Sequence, residues 1–388
     1  MAACPDWKNS GFGIYLHWPY CESKCPYCDF NSYVGNTIDI REWEISFLSQ
    51  LDFYYQQTAN RKVDSIFFGG GTPSLMDPKL VSNLIEHINK LWGFENKIEI
   101  TLEANPSSVE SKRFAEFKSA GINRVSIGVQ ALNDKDLKKL GRLHSVNDAL
   151  EAVKIGQDTF DKVSFDLIYA RQNQKLIEWE LELKQALSLK PNHLSLYQLT
   201  IEPNTAFGRL KKNGKLHGLP DENLGGDLYN LTNEICYSEG LIPYEVSNYA
   251  KEKCHESVHN KIYWNYGDYL GIGPGAHGRI TTPEGRFATQ NYSDPNRWLN
   301  RMQSDFGESL RALINKNDQA EELVIMGLRL STGFSKKRYF GLSKRQLNEN
   351  KLKNLISDNL ITIEKDFIKA TTKGRIVLNS LILEILTD

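Results

Sequence analysis

The stretch "CESKCPYCDF", residues 21–30, places three cysteines in one short loop directly after an apolar run. Cys21, Cys25 and Cys28 are separated by three and then two residues, so three sulfurs can face one centre. A 4Fe–4S cube normally binds four thiolates. Three thiolates leave one iron without a protein ligand, much as a catalytic zinc ion keeps one position open. The loop therefore predicts an iron–sulfur cluster that takes one ligand from outside the protein.

Spacing alone leaves two other uses of these cysteines open. Cys25 and Cys28 could form half of a zinc site, with Cys254, His255 and His259 supplying the remaining ligands. The same Cys-x-x-Cys pair could also be redox-active. Neither alternative needs the first cysteine of the loop, so the full pattern favours the cluster.

The composition limits the classes of partner and location. The chain has 388 residues, with 47 lysines and arginines against 48 aspartates and glutamates, for a net charge of −1. This balance gives no bulk electrostatic reason to expect nucleic acid or an anionic membrane surface. The first residues lack the apolar core of a signal peptide, and no apolar run approaches the ~18 residues of a membrane-spanning helix. Six cysteines in so long a chain do not make a disulfide framework. We therefore expect a cytoplasmic protein with at most peripheral membrane contact.

Short apolar, β-branched or aromatic runs alternate with amphipathic stretches over the first 200 residues. This alternation predicts an α/β fold built from β-α-β units with a parallel sheet. Six units are too few for a closed eight-unit barrel but suit an open, partial one, and a doubly wound sheet would give the same pattern. The predicted strands are 13–18, 64–68, 98–103, 124–129, 162–169 and 193–199, and the predicted helices are 40–57, 78–92, 109–119, a broken 134–157 and 174–189.

The pattern changes twice after residue 220. One more helix is predicted to end at Gly240, and an aromatic- and glycine-rich stretch follows. The last seventy or so residues then give two helices, two strands and a final helix, an order that resembles a winged helix. We predict a core barrel over residues 1–240, an accessory segment over 241–315 and a small winged-helix-like module over 316–388.

Polar residues follow the predicted strands at positions that suit a ligand pocket. "GGGTP" comes directly after the second strand, and glycines there let the backbone approach a ligand closely; Gly70, Gly71 and Thr72 are the candidates, through their amides and carbonyls. The carboxyl ends of parallel strands converge on one mouth, and polar candidates stand there on later strands. These are Glu103, Gln130 and Asp166, with Arg142 as a bidentate partner for a carboxylate.

The cysteine loop and glycine run, in this order, resemble the radical S-adenosylmethionine (SAM) superfamily. More narrowly, motifs along nearly the whole chain resemble the oxygen-independent coproporphyrinogen III oxidase family and its HemW haem-chaperone branch. Those motifs include "FFGGGTPS", "TLEANP", "GINRVSIGVQAL", "LGRLHS", "SLYQLTIEPNTAF", "YEVSNYA" and "GIGPGAHG". The resemblance implies a partial (β/α)6 barrel with a 4Fe–4S cluster on the three cysteines and SAM at the carboxyl mouth. It implies SAM contacts at Tyr15, Tyr27, Gly70, Gly71, Thr72, Glu103, Gln130, Arg142 and Asp166.

Three features bear on the branch. The oxidases carry a fourth cysteine where this chain has Phe30, and they carry a longer segment before the loop. The "HNKIYW" run resembles the HNxxYW motif of the chaperone branch, which is implicated in haem binding. It supplies His259, Asn260, Tyr263 and Trp264. Histidine is the commonest axial ligand of haem iron, and aromatic rings offer flat apolar area to a porphyrin. The other interpretation of this run is a structural turn with its aromatic residues in the core.

The resemblance leaves two functions in competition. The first is a carrier that binds haem, the cluster and SAM and passes haem to apo-haemoproteins such as cytochromes, with cluster and SAM gating transfer or formation of a homodimer. The second is a radical enzyme of porphyrin metabolism that decarboxylates coproporphyrinogen III. One departure affects the substrate side: "DLIYARQNQ" has Ala170, Arg171 and Gln172 where the family usually has Gly, Leu and Pro, and we expect a displaced loop there.

Overall fold

The core of the protein is a set of six parallel strands in chain order, seen in a computed structural model that describes residues 6–35 and 38–387. Each strand overlaps one predicted run, and the open α/β fold is confirmed. Most of their side chains are buried on both faces, which is typical of parallel strands covered by helices. The strands are β1 Phe12–Trp18, β2 Val63–Gly70, β3 Phe94–Ala104, β4 Arg124–Gln130, β5 Lys162–Tyr169 and β6 His193–Gln198.

Helices connect these strands and cover the sheet. Their first turns are capped by short polar side chains, as at Asp39, whose carboxylate accepts bonds from two backbone amides, and Ser145, which forms a capping box with Asp148. The predicted helices 109–119 and 134–157 are each divided in two. The helices up to residue 240 are α1 Ile40–Thr58, α2 Pro78–Trp92, α3 Ser108–Lys112, α4 Phe114–Ser119, α5 Asp134–Lys139, α6 Val146–Thr159, α7 Leu176–Ser188, α8 Ala206–Lys212 and α9 Glu222–Ser238.

The sheet continues past both ends of the six-strand core, through residues for which the sequence predicted no strands. Strand β9 pairs parallel with β1 on the side away from β2, with Asp268 opposite Phe12. A hairpin and a further strand extend this edge, and a short pair extends the β6 edge, all antiparallel. The added strands are β7 Ile242–Pro243, β8 Asn248–Ala250, β9 Asp268–Ile272, β10 His277–Thr282, β11 Gly285–Asn291 and β12 Glu308–Leu313. The result is a 12-stranded mixed sheet whose end strands do not pair within the described residues.

The last seventy residues form a second apolar cluster around a small sheet. Its three antiparallel strands are β13 Phe334–Ser335, β14 Ile361–Glu364 and β15 Phe367–Ala370. Arg338 connects this part to the rest of the protein, since its guanidinium pairs with Asp6 and donates to the carbonyl oxygens of Asn265 and Tyr266. The remaining helices are α10 Val258–Trp264, α11 Pro295–Asp305, α12 Lys316–Gly327, α13 Lys336–Ser343, α14 Glu349–Ser357, α15 Thr372–Ile376 and α16 Leu378–Leu386. No helix of the described chain has both the length and the apolar character needed to cross a bilayer.

The turn after β5 shows how the chain accommodates its missing glycine and proline. Ala170 takes a left-handed conformation, φ 59°, which glycine adopts more easily. Arg171 is buried, donates to the Ile168 carbonyl and pairs with Glu182 of α7 and Asp136 of α5. The turn at residues 170–172 is therefore held by the two ion pairs of Arg171, at positions where the family usually has Gly, Leu and Pro.

Candidate functional site

The first cavity opens at the carboxyl ends of the core strands and has a volume of about 390 Å³. The cysteine loop forms one wall, and the ends of β2 to β6 form the others. Exposed Phe30 also lines it. Eleven predicted cluster and SAM residues line this cavity: Cys21, Cys25, Tyr27, Cys28, Gly70, Gly71, Thr72, Glu103, Gln130, Arg142 and Asp166.

The three cysteines of the loop are reduced and half-buried. Their three sulfurs do not all lie within 4.8 Å of one another. That spread suits a cluster, in which each thiolate binds a different iron. Burial raises the pKa of the Cys21 and Cys28 thiols. These thiols are therefore protonated at neutral pH, and loading a cluster on them releases protons.

Arg142 ties the cysteine loop to the core. Its guanidinium donates to the Cys25 sulfur at 3.5 Å, to the Asn105 side-chain oxygen at 2.6 Å and to the Gly128 carbonyl at 3.0 Å. The predicted role of Arg142 was a bidentate bond to a ligand carboxylate. The structure gives three of its donor contacts to the protein, one of them to a cluster cysteine.

The glycine run after β2 is packed tightly against the residues that precede the cysteine loop. Gly71 and Thr72 donate their amides to the carbonyl oxygens of Trp18 and Tyr20, and Gly70 donates its amide to Glu103. A Cβ on Gly71 would lie 2.7 Å from the Tyr20 oxygen, so no side chain fits there. All three amides are thus used within the protein, and binding of the ligand by the amides and carbonyls of this run stays a prediction. The run can offer carbonyl oxygens, which suit an ammonium group.

Two carboxyl groups face the interior of the first cavity. Burial raises the pKa of Glu103 to about 8, and the charge of Asp166 adds to the shift. Burial also raises the pKa of Asp166 to about 6, although the hydroxyls of Ser195 and Ser126 lower it. A bound cation or hydroxyl donor would stabilise the ionised form of both groups, because it would replace the water that burial removes.

The structure separates Tyr15 from the other predicted SAM residues, because Tyr15 does not line the first cavity. Its hydroxyl forms a hydrogen bond with His17 at 3.0 Å. Its ring stacks on Phe67 and lies 6.2 Å from the His259 ring. Tyr15 therefore contacts residues that do not line the first cavity, and its ring lies close to the HNxxYW run.

A second cavity of about 250 Å³ brings together all four residues of that run, His259, Asn260, Tyr263 and Trp264. The run forms helix α10, which packs against β1, β2, β9 and α12. His259 is half-buried, its Nδ1 is 3.0 Å from the Ser65 hydroxyl, and burial lowers its pKa to about 4. The imidazole is therefore neutral at pH 7 and anchored through one nitrogen, as is usual for a metal-binding histidine. The remaining residues that line this cavity are Tyr197, Glu245, Val246, Ser247, Asn248 and Arg329.

Buried Glu99 holds the start of α10 against the core. Its carboxylate accepts a bond from the Val258 amide at 2.7 Å and pairs with Arg124 at 3.4 Å and Lys162 at 3.0 Å. Burial opposes this charge, but the two cations and their hydrogen bonds prevail and lower the pKa of Glu99. Glu99 is therefore ionised at neutral pH and fixes the position of the helix that carries His259.

The structure does not assemble the zinc site that the sequence left open. None of Cys254, His255 and His259 lines the first cavity with the cysteine loop. Cys254 and His255 lie near Glu252, where three ligand atoms come within 4.8 Å of one another. Cys254 and Glu252 are exposed, and exposed groups of this kind are common without a bound ion.

Comparisons with known proteins identify the family of this chain. The radical SAM superfamily model matches residues 15–180, and the HemN C-terminal domain model matches residues 314–377. The heme chaperone HemW of Haemophilus influenzae is 37% identical over 98% of this chain and 99% of its own length. The chain belongs to the HemW family. The mitochondrial radical S-adenosyl methionine domain-containing protein 1 of Bos taurus is 35% identical over 96% of this chain and 87% of its own.

The fold of this HemW-family chain also matches a solved structure. Coproporphyrinogen III oxidase (HemN) from Escherichia coli superposes with a TM-score of 0.81, covering 97% of this chain and 90% of that one. At 19% identity the likeness establishes the fold alone.

The radical SAM domain implies a 4Fe–4S cluster and SAM, and the first cavity of this HemW-family chain fits both. Three thiols stand on one loop for three irons, and one iron remains for the ligand. The amino group of SAM would meet the carbonyl oxygens of the glycine run and the carboxyl groups of Glu103 and Asp166. When bound and reduced, the cluster would supply an electron to SAM.

Two residues important for the second cavity were missed from the sequence. Tyr197 ends the apolar run of β6 and lines both cavities. Nothing in its own run connects Tyr197 with the HNxxYW residues. Arg329 comes from the stretch after α12, about seventy residues beyond the HNxxYW run, and no local signal connects the two.

Proposed function

We propose that this protein is a haem chaperone that binds haem in the second cavity and a 4Fe–4S cluster with SAM in the first. It would transfer the haem to apo-haemoproteins such as respiratory cytochromes. The observation that carries the proposal is that all four residues of the HNxxYW run line one cavity.

The chemistry of the second cavity supports haem as its ligand. His259 is neutral, with Nδ1 held by Ser65, which leaves Nε2 as the nitrogen for iron. Tyr263 and Trp264 meet edge to face, with ring centroids 5.0 Å apart, and present aromatic area beside the imidazole. The cavity, at about 250 Å³, is smaller than the ~300–1,000 Å³ usual for ligand sites. A porphyrin would therefore project from it or widen it.

The first cavity would act as the regulatory site of this carrier. Tyr197 lines both cavities, so a ligand that moves this ring would be sensed on both sides. We infer that cluster and SAM gate haem transfer or the formation of a homodimer. The cytoplasm remains the predicted location, with peripheral membrane contact during delivery. The Bos taurus relative, by contrast, is named as a mitochondrial protein.

The competing function is a radical enzyme that acts on coproporphyrinogen III. The buried carboxyl groups of Glu103 and Asp166 and the fold shared with the oxidase favour it. Phe30 stands against it, because the oxidases have a cysteine at this position. Supplied with reductant, SAM and coproporphyrinogen III, the protein should release no protoporphyrinogen. Decarboxylation in proportion to the enzyme would reverse the choice.

Titration with ferric haem tests the carrier function directly. Wild-type protein should show a shifted Soret band and saturable binding. The change His259→Ala should weaken binding about tenfold or more and alter the Soret band, because it removes the candidate axial ligand. His255→Ala, four residues away on the partly exposed surface, is the matched control. Equal binding by His259→Ala and His255→Ala would exclude His259 from the site.

A further inference from the structure

Arg329 has an unusual environment for an arginine beside a cavity. It lies directly after α12, is half-buried and lines the second cavity. Its guanidinium carbon is 5.5 Å from the centre of the Trp264 ring. Within the described chain, no hydrogen bond or ion pair of this guanidinium to a protein group is found. Other enclosed arginines have protein partners: Arg142 bonds to Cys25, Asn105 and Gly128, and carboxylates pair with Arg61, Arg124, Arg171, Arg286 and Arg338.

Glu245 supplies the carboxyl group in the lining of the second cavity, and it forms its hydrogen bonds with residues other than Arg329. Glu245 accepts bonds from the Ser247 amide at 2.9 Å and from the Asn248 side chain at 2.6 Å. Burial raises the pKa of Glu245, although its hydrogen bonds lower it. Of the ten described residues that line the cavity, Arg329 is the one cation, because His259 is neutral at pH 7. The cavity thus combines a neutral imidazole, the aromatic side chains of Tyr197, Tyr263 and Trp264, and one unpaired guanidinium.

We propose that Arg329 binds a propionate carboxylate of the porphyrin in the second cavity. The proposal rests on haem binding there and specifies how the ligand would be oriented. A porphyrin offers an iron for His259, a flat face for the aromatic rings and a carboxylate edge. A planar guanidinium binds a carboxylate through two parallel hydrogen bonds, and it can do so while it stacks on Trp264.

The proposal gives the C-terminal module a direct part in the site. Arg329 belongs to the segment matched by the HemN C-terminal domain, residues 314–377, whereas His259 and Trp264 lie on α10. Haem would then be held between two parts of the chain, with the iron on one and the propionate on the other. A relative shift of the module would loosen both contacts together.

A comparison of two ligands isolates the carboxylate. Ferric protoporphyrin IX and its dimethyl ester share the iron and the ring, but the ester lacks free propionates. We expect the wild-type protein to bind the free acid about 10–100-fold more tightly than the ester. Arg329→Gln should remove this preference by weakening the free acid alone, with an unchanged Soret band. Arg329→Lys should retain part of it, because the charge remains but the two-pronged geometry is lost.

Each outcome of this experiment decides the matter. Arg345→Gln, on the exposed surface of the same module, is the matched control and should bind as the wild type does. An unchanged preference in Arg329→Gln would overturn the assignment of Arg329 while leaving haem binding intact. Equal weakening of both ligands would also overturn it, since that result indicates a structural role. If Arg329→Gln does not fold, a full preference in Arg329→Lys counts against the two-pronged contact. If the wild type binds neither porphyrin, the carrier function itself is wrong.

Discussion

Replacing Glu99 should loosen helix α10 and thereby disturb the positions of the residues that line the second cavity. Two variants separate the charge of Glu99 from its role as a hydrogen-bond acceptor. Glu99→Gln removes the charge but retains an oxygen for the Val258 amide, which now donates to the carboxylate at 2.7 Å. Glu99→Leu removes both.

The size of the effect follows from the burial of the partners. Arg124 is 2% exposed and would keep only the His255 carbonyl, at 3.0 Å. Removing one member of a buried ion pair costs about 3–5 kcal/mol. Lys162 is 29% exposed and can turn to water, so it adds little. We expect a loss in the free energy of unfolding of about 3 kcal/mol for Glu99→Gln, and a further ~1–3 kcal/mol for Glu99→Leu from the orphaned amide.

Urea unfolding measures these losses, followed by fluorescence and circular dichroism to check that the transitions coincide. Adding Arg124→Met to Glu99→Leu should recover most of the loss, because the uncompensated guanidinium is then gone. Haem affinity should fall more in Glu99→Leu than in Glu99→Gln, since only the first releases the start of α10. A Glu99→Leu protein within 1 kcal/mol of wild type, or a double variant no more stable than the single one, would refute this reasoning.

Three further changes have expected outcomes. Because burial raises the pKa of Glu103 to about 8, the folded state holds a proton that the unfolded chain has lost, and stability falls as pH rises from about 5 to 8. Glu103→Gln should remove part of that fall and be more stable than wild type at pH 8.5, by about 2–4 kcal/mol in urea unfolding, and no difference there would contradict it. Arg171→Leu should cost about 3–5 kcal/mol by stranding Glu182, and a second change, Glu182→Leu, should restore most of it; simple additivity in the same assay would count against the pair. Cys28→Ser should abolish the charge-transfer absorption of the reconstituted cluster and Cys254→Ser should not, so equal spectra would place the cluster elsewhere.

The sequence predicted those parts of the fold and site that are encoded locally. Apolar runs located all six core strands, because parallel strands buried on both faces are nearly continuous in apolar residues. The three cysteines and the glycine run are short motifs, and both line the first cavity. The carboxyl-edge rule also brought Glu103 and Asp166 together from separate strands.

What the sequence did not predict depends on distant pairing. Strand β9 is a short tyrosine- and glycine-containing run that pairs with β1, and neither strand carries a signal for the other. The same limit hid the place of Arg329 in the second cavity and the bond that the Val258 amide donates to Glu99, since both connect segments far apart in the chain. A sequence also does not show that the carbonyl oxygens of Trp18 and Tyr20 accept bonds from two amides of the glycine run.

The pairing of β1 with β9 sets the order in which the two cavities can form during synthesis. The core strands of the first cavity are complete once residue 198 has left the ribosome. The second cavity must wait for β9, which binds back to the beginning of the chain, and then for Arg329. At 5–20 residues per second, the interval is on the order of ten seconds. The first cavity can therefore form before the second one exists, so under the proposed function a nascent chain would be able to bind its cluster before it could bind haem.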